Sequence, residues 1–190
     1  ALMGTAGTAA TADVVLLSNQ LADGDDYLDF SSDIDSTYGE YIFKFYNINP
    51  ATNDQTFQFQ VNATDQTGYN DSPITSTFFK AIHTEDSTTT AVLAYDAGAE
   101  LDQATTFQFL GSGIGNGGDE SLSGELHLFN PSHGTYMTHF YGVTNFYGQQ
   151  DATYNNYIGG YIMDATAIDD VRFKMASGAF DGRIKMWGVK

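Results

Sequence analysis

The chain has four histidines, and their spacing decides whether the sequence offers a histidine metal site or a catalytic base. None of them forms a His-x-His pair or an HExxH motif, the patterns that bring two imidazoles to one metal. His127 alternates with Leu126 and Leu128 in residues 125–129, so we predict that it faces outward on a strand. The sequence thus predicts a surface or interface histidine, with metal ligation as the alternative.

Nucleophile motifs are missing as well. The chain has no cysteine, which excludes disulfides, thiolate zinc sites and a cysteine nucleophile. The glycine-rich residues 111–118 lack the context of a Gly-x-Ser-x-Gly elbow and the Gly-Lys-Ser/Thr ending of a phosphate loop, and we predict a flexible loop there. The sequence leaves open a catalytic pair of carboxylates of the kind that glycosidases use, because the distance between two such groups depends on the fold. We predict no enzymatic activity and no cofactor.

Acidic residues dominate the charge of the chain. Its 24 Asp and Glu against 7 Lys and Arg give a formal net charge of -17. Such a molecule repels a phosphate backbone, so nucleic acid is not an expected partner. Most of the acids are aspartates, which favour solvated turns, and Ca²⁺ binding is the alternative, although no EF-hand spacing is present. The candidate calcium ligands are Asp23, Asp25, Asp26 and Asp29 in one cluster, and Asn116, Asp119 and Glu120 in another.

The few cations are concentrated near the end of the chain. Alternation places Arg172 and Lys174 on one face of a predicted strand, and Arg183, Lys185 and Trp187 on one face of the next. If these two strands pair, their cations form a basic patch that suits an acidic partner surface. We therefore predict these five residues as a partner interface.

An alternative for the same cations is internal ion pairing. Three aspartates lie close to them in the sequence and would neutralise them within the fold. These are Asp169, Asp170 and Asp181.

The elements that carry these residues are strands, because apolar and polar residues alternate from end to end. Helical periodicity with caps is nearly absent. The pattern predicts an all-β chain, a two-sheet antiparallel sandwich that is jelly-roll-like, with an N-terminal arm over residues 1–12 and a single β-sandwich domain over residues 13–190. The twelve predicted strands are 14–17, 27–30, 41–48, 56–62, 78–82, 91–95, 106–110, 124–129, 137–144, 157–163, 171–175 and 183–189.

Aromatic residues offer a second kind of binding surface. Stacked on a sheet, they would form a platform for the rings of a glycan, whereas core packing explains them equally well. The candidates are Tyr136, Phe140, Tyr141, Phe146, Tyr147, Tyr154, Tyr157 and Tyr161.

Membrane and export signals are not evident in the sequence. No apolar run approaches the ~20 residues that cross a bilayer, so we expect no membrane insertion. Residues 1–12 lack the basic and apolar regions of a signal peptide, which predicts synthesis in the cytoplasm.

Several segments between residues 34 and 190 combine packing and turn motifs. They are IDSTY at 34–38, YIFKF at 41–45, NINPAT at 47–52, FQFQ at 57–60, AIHTED at 81–86, SLSGELHLFNP at 121–131, TAIDDVRFKMASG at 166–178 and GRIKMWGV at 182–189. Together these segments resemble small virion proteins of tailed bacteriophages, described as head-decoration or tail-fibre proteins.

This resemblance implies a structural protein on the virion surface, made in the host cytoplasm, and a homotrimer. Its implied partners are the major capsid protein or a tail protein of the same particle, and a host-surface glycan. The sequence has no heptads, Gly-x-y triplets or β-helix repeats that would form a fibre shaft. We therefore expect a head decoration or cement protein. A tail-fibre or tail-tip adhesin knob and a carbohydrate-binding β-sandwich module are the alternatives.

Overall fold

Strands follow from the alternating residues throughout the computed structural model, which describes residues 13–86 and 91–190. The predicted arm, residues 1–12, lies outside the described residues. Residues 13–86 and 91–190 contain no helix, and therefore no helix that could cross a membrane. Each predicted strand overlaps an observed one. The strands are β1 (Val14–Asp25), β2 (Tyr27–Phe30), β3 (Glu40–Pro50), β4 (Gln55–Ala63), β5 (Ile74–Thr84), β6 (Val92–Tyr95), β7 (Gln108–Ile114), β8 (Leu122–Phe129), β9 (Thr138–Gly148), β10 (Ala152–Ile162), β11 (Ile168–Met175) and β12 (Phe180–Val189).

Hydrogen bonds join the twelve strands, all antiparallel, in one nearly closed, barrel-like sheet. We call the strands in the order β6-β5-β10-β9-β8-β3-β12-β1 the eight-strand wall. The strands in the order β7-β4-β11-β2 form the four-strand wall. Ile114 of β7 and Gly148 of β9 bridge the two walls at one side. At the other side, the Gln20 side chain of β1 donates to the Asp29 carbonyl of β2 at 2.8 Å.

The all-β antiparallel class is confirmed, but the finer prediction of a two-sheet jelly roll is not. Alternation determines which face of each strand is buried. It does not determine the order in which strands pair or how far the sheet closes, because those depend on contacts between distant segments.

Aromatic rings from both walls fill the core. The ring centroid of Phe173 on β11 lies 5.2 Å from the centroids of Phe43 and Phe45 on β3, and Phe57 and Phe59 of β4 pack beside it. The outward sides of β3 and β11 therefore point away from each other. The apolar residues that alternation places on the inner faces of these strands are buried, namely Phe43, Phe45, Phe57, Phe59, Leu126, Leu128, Val171, Phe173 and Ile184.

The glycine-rich segment is partly a strand, so the prediction of a loop over residues 111–118 is wrong for its first half. β7 continues through Gly111 to Ile114. A Cβ on Gly111 would lie 2.6 Å from Cδ1 of Leu122, closer than side-chain carbons approach. Glycine thus leaves room at this position for the buried side chain of Leu122 on β8.

Candidate interaction surface

The five residues predicted as a partner interface lie on different walls. β11, which carries Arg172 and Lys174, pairs with β2 and β4. β12, which carries Arg183, Lys185 and Trp187, pairs with β1 and β3. The two strands do not pair with each other, so the combined basic patch that depended on their pairing does not form. Local alternation places neighbours along one strand, but it carries no information about which strands meet.

Arg172 is held in an internal ion pair on the four-strand wall. Its Nε and Nη2 atoms each donate to a carboxylate oxygen of Asp29 at 2.6 Å, a bidentate arrangement. The guanidinium carbon lies 3.9 Å from the ring centroid of Tyr27 and 4.3 Å from that of Tyr69. The hydrogen bonds to Asp29 raise the pKa of Arg172. Internal ion pairing therefore describes this residue, although its partner is none of the three aspartates near it in the sequence.

Arg183, Lys185 and Trp187 share the outer face of the eight-strand wall. Lys185 lies opposite Lys44 of β3, which adds a third cation to this face. Arg183 donates to the side-chain oxygen of Asn19 at 2.8 Å. Within the described residues, neither Arg183 nor Lys185 has a carboxylate at ion-pair distance. Both cations are thus available to the acids of a partner.

Exposed apolar side chains are also concentrated on this wall. Ten of the thirteen exposed large hydrophobic residues belong to its strands, whereas the strands of the four-strand wall carry only Tyr27 among the described residues. On β5 and β10, the exposed rings of Phe79 and Tyr157 stack with centroids 5.0 Å apart. Leu93 on β6 is 76% exposed. Tyr157, Phe79 and Tyr95 lie opposite one another on β10, β5 and β6, and a contiguous exposed apolar patch of this kind suits contact with another protein.

His127 lies at the centre of a cluster on the same outer face. Its Nδ1 is 2.5 Å from Oε1 of Glu40, and its Nε2 is 3.2 Å from Oε1 of Glu125. The imidazole stacks on Tyr141 with centroids 4.3 Å apart. The predicted outward orientation is therefore observed, but the side chain is only 10% exposed. Glu40 and Tyr141 come from neighbouring strands, and only the strand order would have indicated them.

The ionic contacts of this cluster bind its strands together. Burial alone would raise the pKa of Glu125, but its interactions with His127 and Lys44 outweigh that effect and lower the pKa. Lys44 Nζ lies 3.3 Å from Oε2 of Glu125, so the cluster joins β3 to β8. Both ring nitrogens of His127 lie near carboxylates, but the buried Nε2 makes no hydrogen bond within the described residues. No set of three histidine or acidic side chains among the described residues is arranged to hold a metal, so Asp23, Asp25, Asp26 and Asp29 do not form such a set.

The aromatic residues predicted as a sugar platform are divided by the fold. Phe140 and Phe146 are buried in the core. Tyr154 stacks on Phe146 with centroids 4.6 Å apart and faces the interior. Tyr141 and Tyr157 are exposed on the outer face of the eight-strand wall. Because alternate residues of one strand point to opposite faces, these side chains do not share one platform.

A cleft of about 600 Å³ opens on the outer side of the four-strand wall, and no sequence motif indicated it. Gln58 of β4 and Phe109 of β7 line it on the strands. Connections between strands supply the other linings, which are Tyr69 and Asn70 after β4, and residues 98–101 and 105–107 after β6.

Asp96 holds one side of this cleft in place, and we expect Asp96→Asn to destabilise the protein by about 1 kcal/mol at neutral pH. Its carboxylate accepts hydrogen bonds from Lys80 Nζ at 2.6 Å and from the Gly98 backbone at 3.1 Å. The hydrogen bond from Lys80 lowers the pKa of Asp96, and partial burial opposes this only in part. The stabilisation is therefore present above the unfolded-state pKa of about 3.9 and is lost as the pH falls through the lower folded-state pKa.

Urea unfolding of the wild type and of Asp96→Asn, at neutral and at strongly acidic pH, measures this effect. The difference between the two proteins should shrink in acid, because the wild-type carboxyl is then protonated. A Lys80→Met background should remove most of the pH dependence. An equal difference at both pH values would contradict the account.

The chain was also compared with protein-family models, curated proteins and solved structures. No family model matches it, no curated protein matches it, and no solved structure matches it. The resemblance to phage virion proteins stays a prediction.

Proposed function

We propose that this chain is a non-enzymatic structural protein of a bacteriophage virion, a decoration or cement protein on the head. The observation that carries the proposal is the outer face of the eight-strand wall. It presents exposed aromatic and aliphatic side chains beside Arg183 and Lys185, which have no carboxylate at ion-pair distance among the described residues. Interfaces between proteins combine apolar anchors with a polar rim in this way. The resemblance of residues 34–190 to virion proteins supports the same assignment.

The eight-strand wall contacts the major capsid protein in this proposal. Phe79, Leu93 and Tyr157 supply apolar contact area at one end of the face. A shallow groove of about 430 Å³, lined among others by Lys44 and Asn145, crosses the middle of the face and receives partner side chains. Attachment therefore depends on surface complementarity and requires no covalent link.

The same proposal includes a homotrimer on the virion surface, assembled after synthesis in the host cytoplasm. β1 supports it, because among the strands of residues 13–86 and 91–190 this edge strand pairs with β12 alone, and it exposes Val14, Leu16 and Leu21. For the architecture we propose a two-layer jelly roll. In the described part of the chain, backbone pairing joins the two walls only at Ile114 and Gly148, which supports that division.

Reversing the charges of Arg183 and Lys185 to glutamate should weaken binding to the particle about tenfold without unfolding the protein. The protein should stay folded because both side chains lie outside the core. Binding should weaken because charges at the rim of an interface govern the association rate and its dependence on salt. The measurement is cosedimentation of labelled protein with particles that lack it, at low and high salt. High salt should reproduce part of the loss for the wild type.

Lys174→Glu is the control, because it reverses a charge on the opposite wall and should leave cosedimentation unchanged. If the variant with both Arg183 and Lys185 reversed binds particles as the wild type does, these two residues are not part of the contact. If the labelled protein binds at the tail tip, the cement assignment is wrong and the protein is an adhesin knob.

A further inference from the structure

The cleft on the four-strand wall is lined by a side-chain amide, that of Gln58, which makes no hydrogen bond to another described residue. Gln58 is only 8% exposed, yet its side chain makes no hydrogen bond within the described part of the chain. By contrast, the neighbouring Gln60 and Gln108 each bond several groups. The donors and the acceptor of the Gln58 amide therefore stay available to a ligand that enters the cleft.

The other linings of the cleft combine apolar rings with a few polar groups. Phe107, Phe109 and Tyr69 are half-buried there, and Asn70 and Glu100 add an amide and a carboxylate. A volume of about 600 Å³ lies within the range of small-molecule sites. A lining of this kind fits a compact ligand with apolar faces and hydrogen-bonding edges.

Charge narrows the class of ligand further. The net charge of -17 and the carboxylate of Glu100 disfavour anions. One cation lies beside the aromatic lining: the ammonium group of Lys174 is 5.2 Å from the Phe107 ring centroid. It balances the carboxylate of Glu100, so the charges near the cleft favour a neutral ligand. A sugar hydroxyl both donates and accepts, which matches an amide and a carboxylate together. We propose that the cleft binds a neutral sugar ring of a glycan, with Gln58 as its central hydrogen-bonding group.

The position of the cleft is compatible with a particle surface. Phe173 of β11 packs on Phe43 of β3, so the outer sides of the two walls face opposite directions. A protein bound to a shell through its eight-strand wall would present the cleft outward. The inference goes beyond the proposed function and does not depend on it, since sugar binding is measured on the isolated protein.

Nuclear magnetic resonance titration of the isotope-labelled protein tests the proposal directly. The probes are the methyl glycosides of glucose, galactose, mannose and N-acetylglucosamine. At least one should cause saturable shifts at the cleft residues, with millimolar affinity. Gln58→Leu should weaken that affinity about tenfold, because leucine cannot form the hydrogen bonds that the Gln58 amide would make with a sugar hydroxyl.

Gln55→Leu is the matched control, since it makes the same change on the same strand outside the cleft. Glu100→Gln offers a second variant that keeps a polar group, and it should also alter affinity. The proposal is overturned if none of the four glycosides gives saturable shifts at the cleft, or if Gln58→Leu binds them as the wild type does. It is also overturned if N-acetyltyrosine amide saturates the cleft while the glycosides do not, which would indicate a site for protein side chains.

Discussion

Replacing Phe173 by alanine should lower the free energy of unfolding by about 3–5 kcal/mol. The ring is fully buried at the centre of the core. It lies within 5.2–6.3 Å, between centroids, of five other phenylalanine rings drawn from both walls. Truncation would leave a cavity that these rings cannot fill together, because they belong to strands fixed by separate hydrogen-bond ladders. Chemical denaturation followed by circular dichroism measures the change.

Phe79→Ala is the control, because it removes the same ring from the outer face, where Phe79 is 42% exposed. Its cost should be about 0.5 kcal/mol or less. Similar losses for the two variants would contradict the assignment of inner and outer faces. A loss below about 1 kcal/mol for Phe173→Ala would mean that the walls do not pack on each other as described.

Replacing Gln60 by leucine should cost about 2–4 kcal/mol, the second-largest effect we expect. Gln60 is fully buried, and its side-chain nitrogen donates to the carbonyls of Ser72, Thr105 and Thr106 at 3.1–3.3 Å. Its side-chain oxygen accepts from the Val61 backbone at 2.8 Å. Leucine keeps most of the volume but leaves these buried groups without a partner.

Gln55→Leu again provides the comparison, because its more exposed amide makes weaker contacts at 3.2 and 3.4 Å. Amide hydrogen exchange should quicken over residues 105–107 in Gln60→Leu and remain unchanged in Gln55→Leu. A stability loss without faster exchange in that segment would show that Gln60 does not hold this lining of the cleft.

The strands were predictable because their signal is local. In β4, alternation places Phe57, Phe59 and Val61 in the core, and the predicted bounds differ from Gln55–Ala63 by one residue at each end. The outward orientation of Arg183 and Lys185 follows from the same pattern. The glycines of residues 111–118 misled the prediction because glycine usually indicates a loop. Gly111 instead lies within β7, at a position where a side chain would meet Leu122 of β8.

The sites were less predictable because their residues are distant in the sequence. Arg172 and Asp29 are 143 residues apart, and no local pattern connects them. His127 meets Glu40 across a strand pair that only the strand order reveals. The cleft draws on a strand face and two connections, so Gln58 carries no sequence signal that separates it from Gln60.

A cryo-electron microscopy map of the bacteriophage particle to which we assign this chain tests the proposed cement function most directly. The account predicts density for three copies on the head shell, with the eight-strand wall against the capsid protein. Arg183 and Lys185 should lie at that contact, and Gln58 should face outward. Density for the chain at the tail tip, or on the shell with the eight-strand wall facing solvent, would contradict the account.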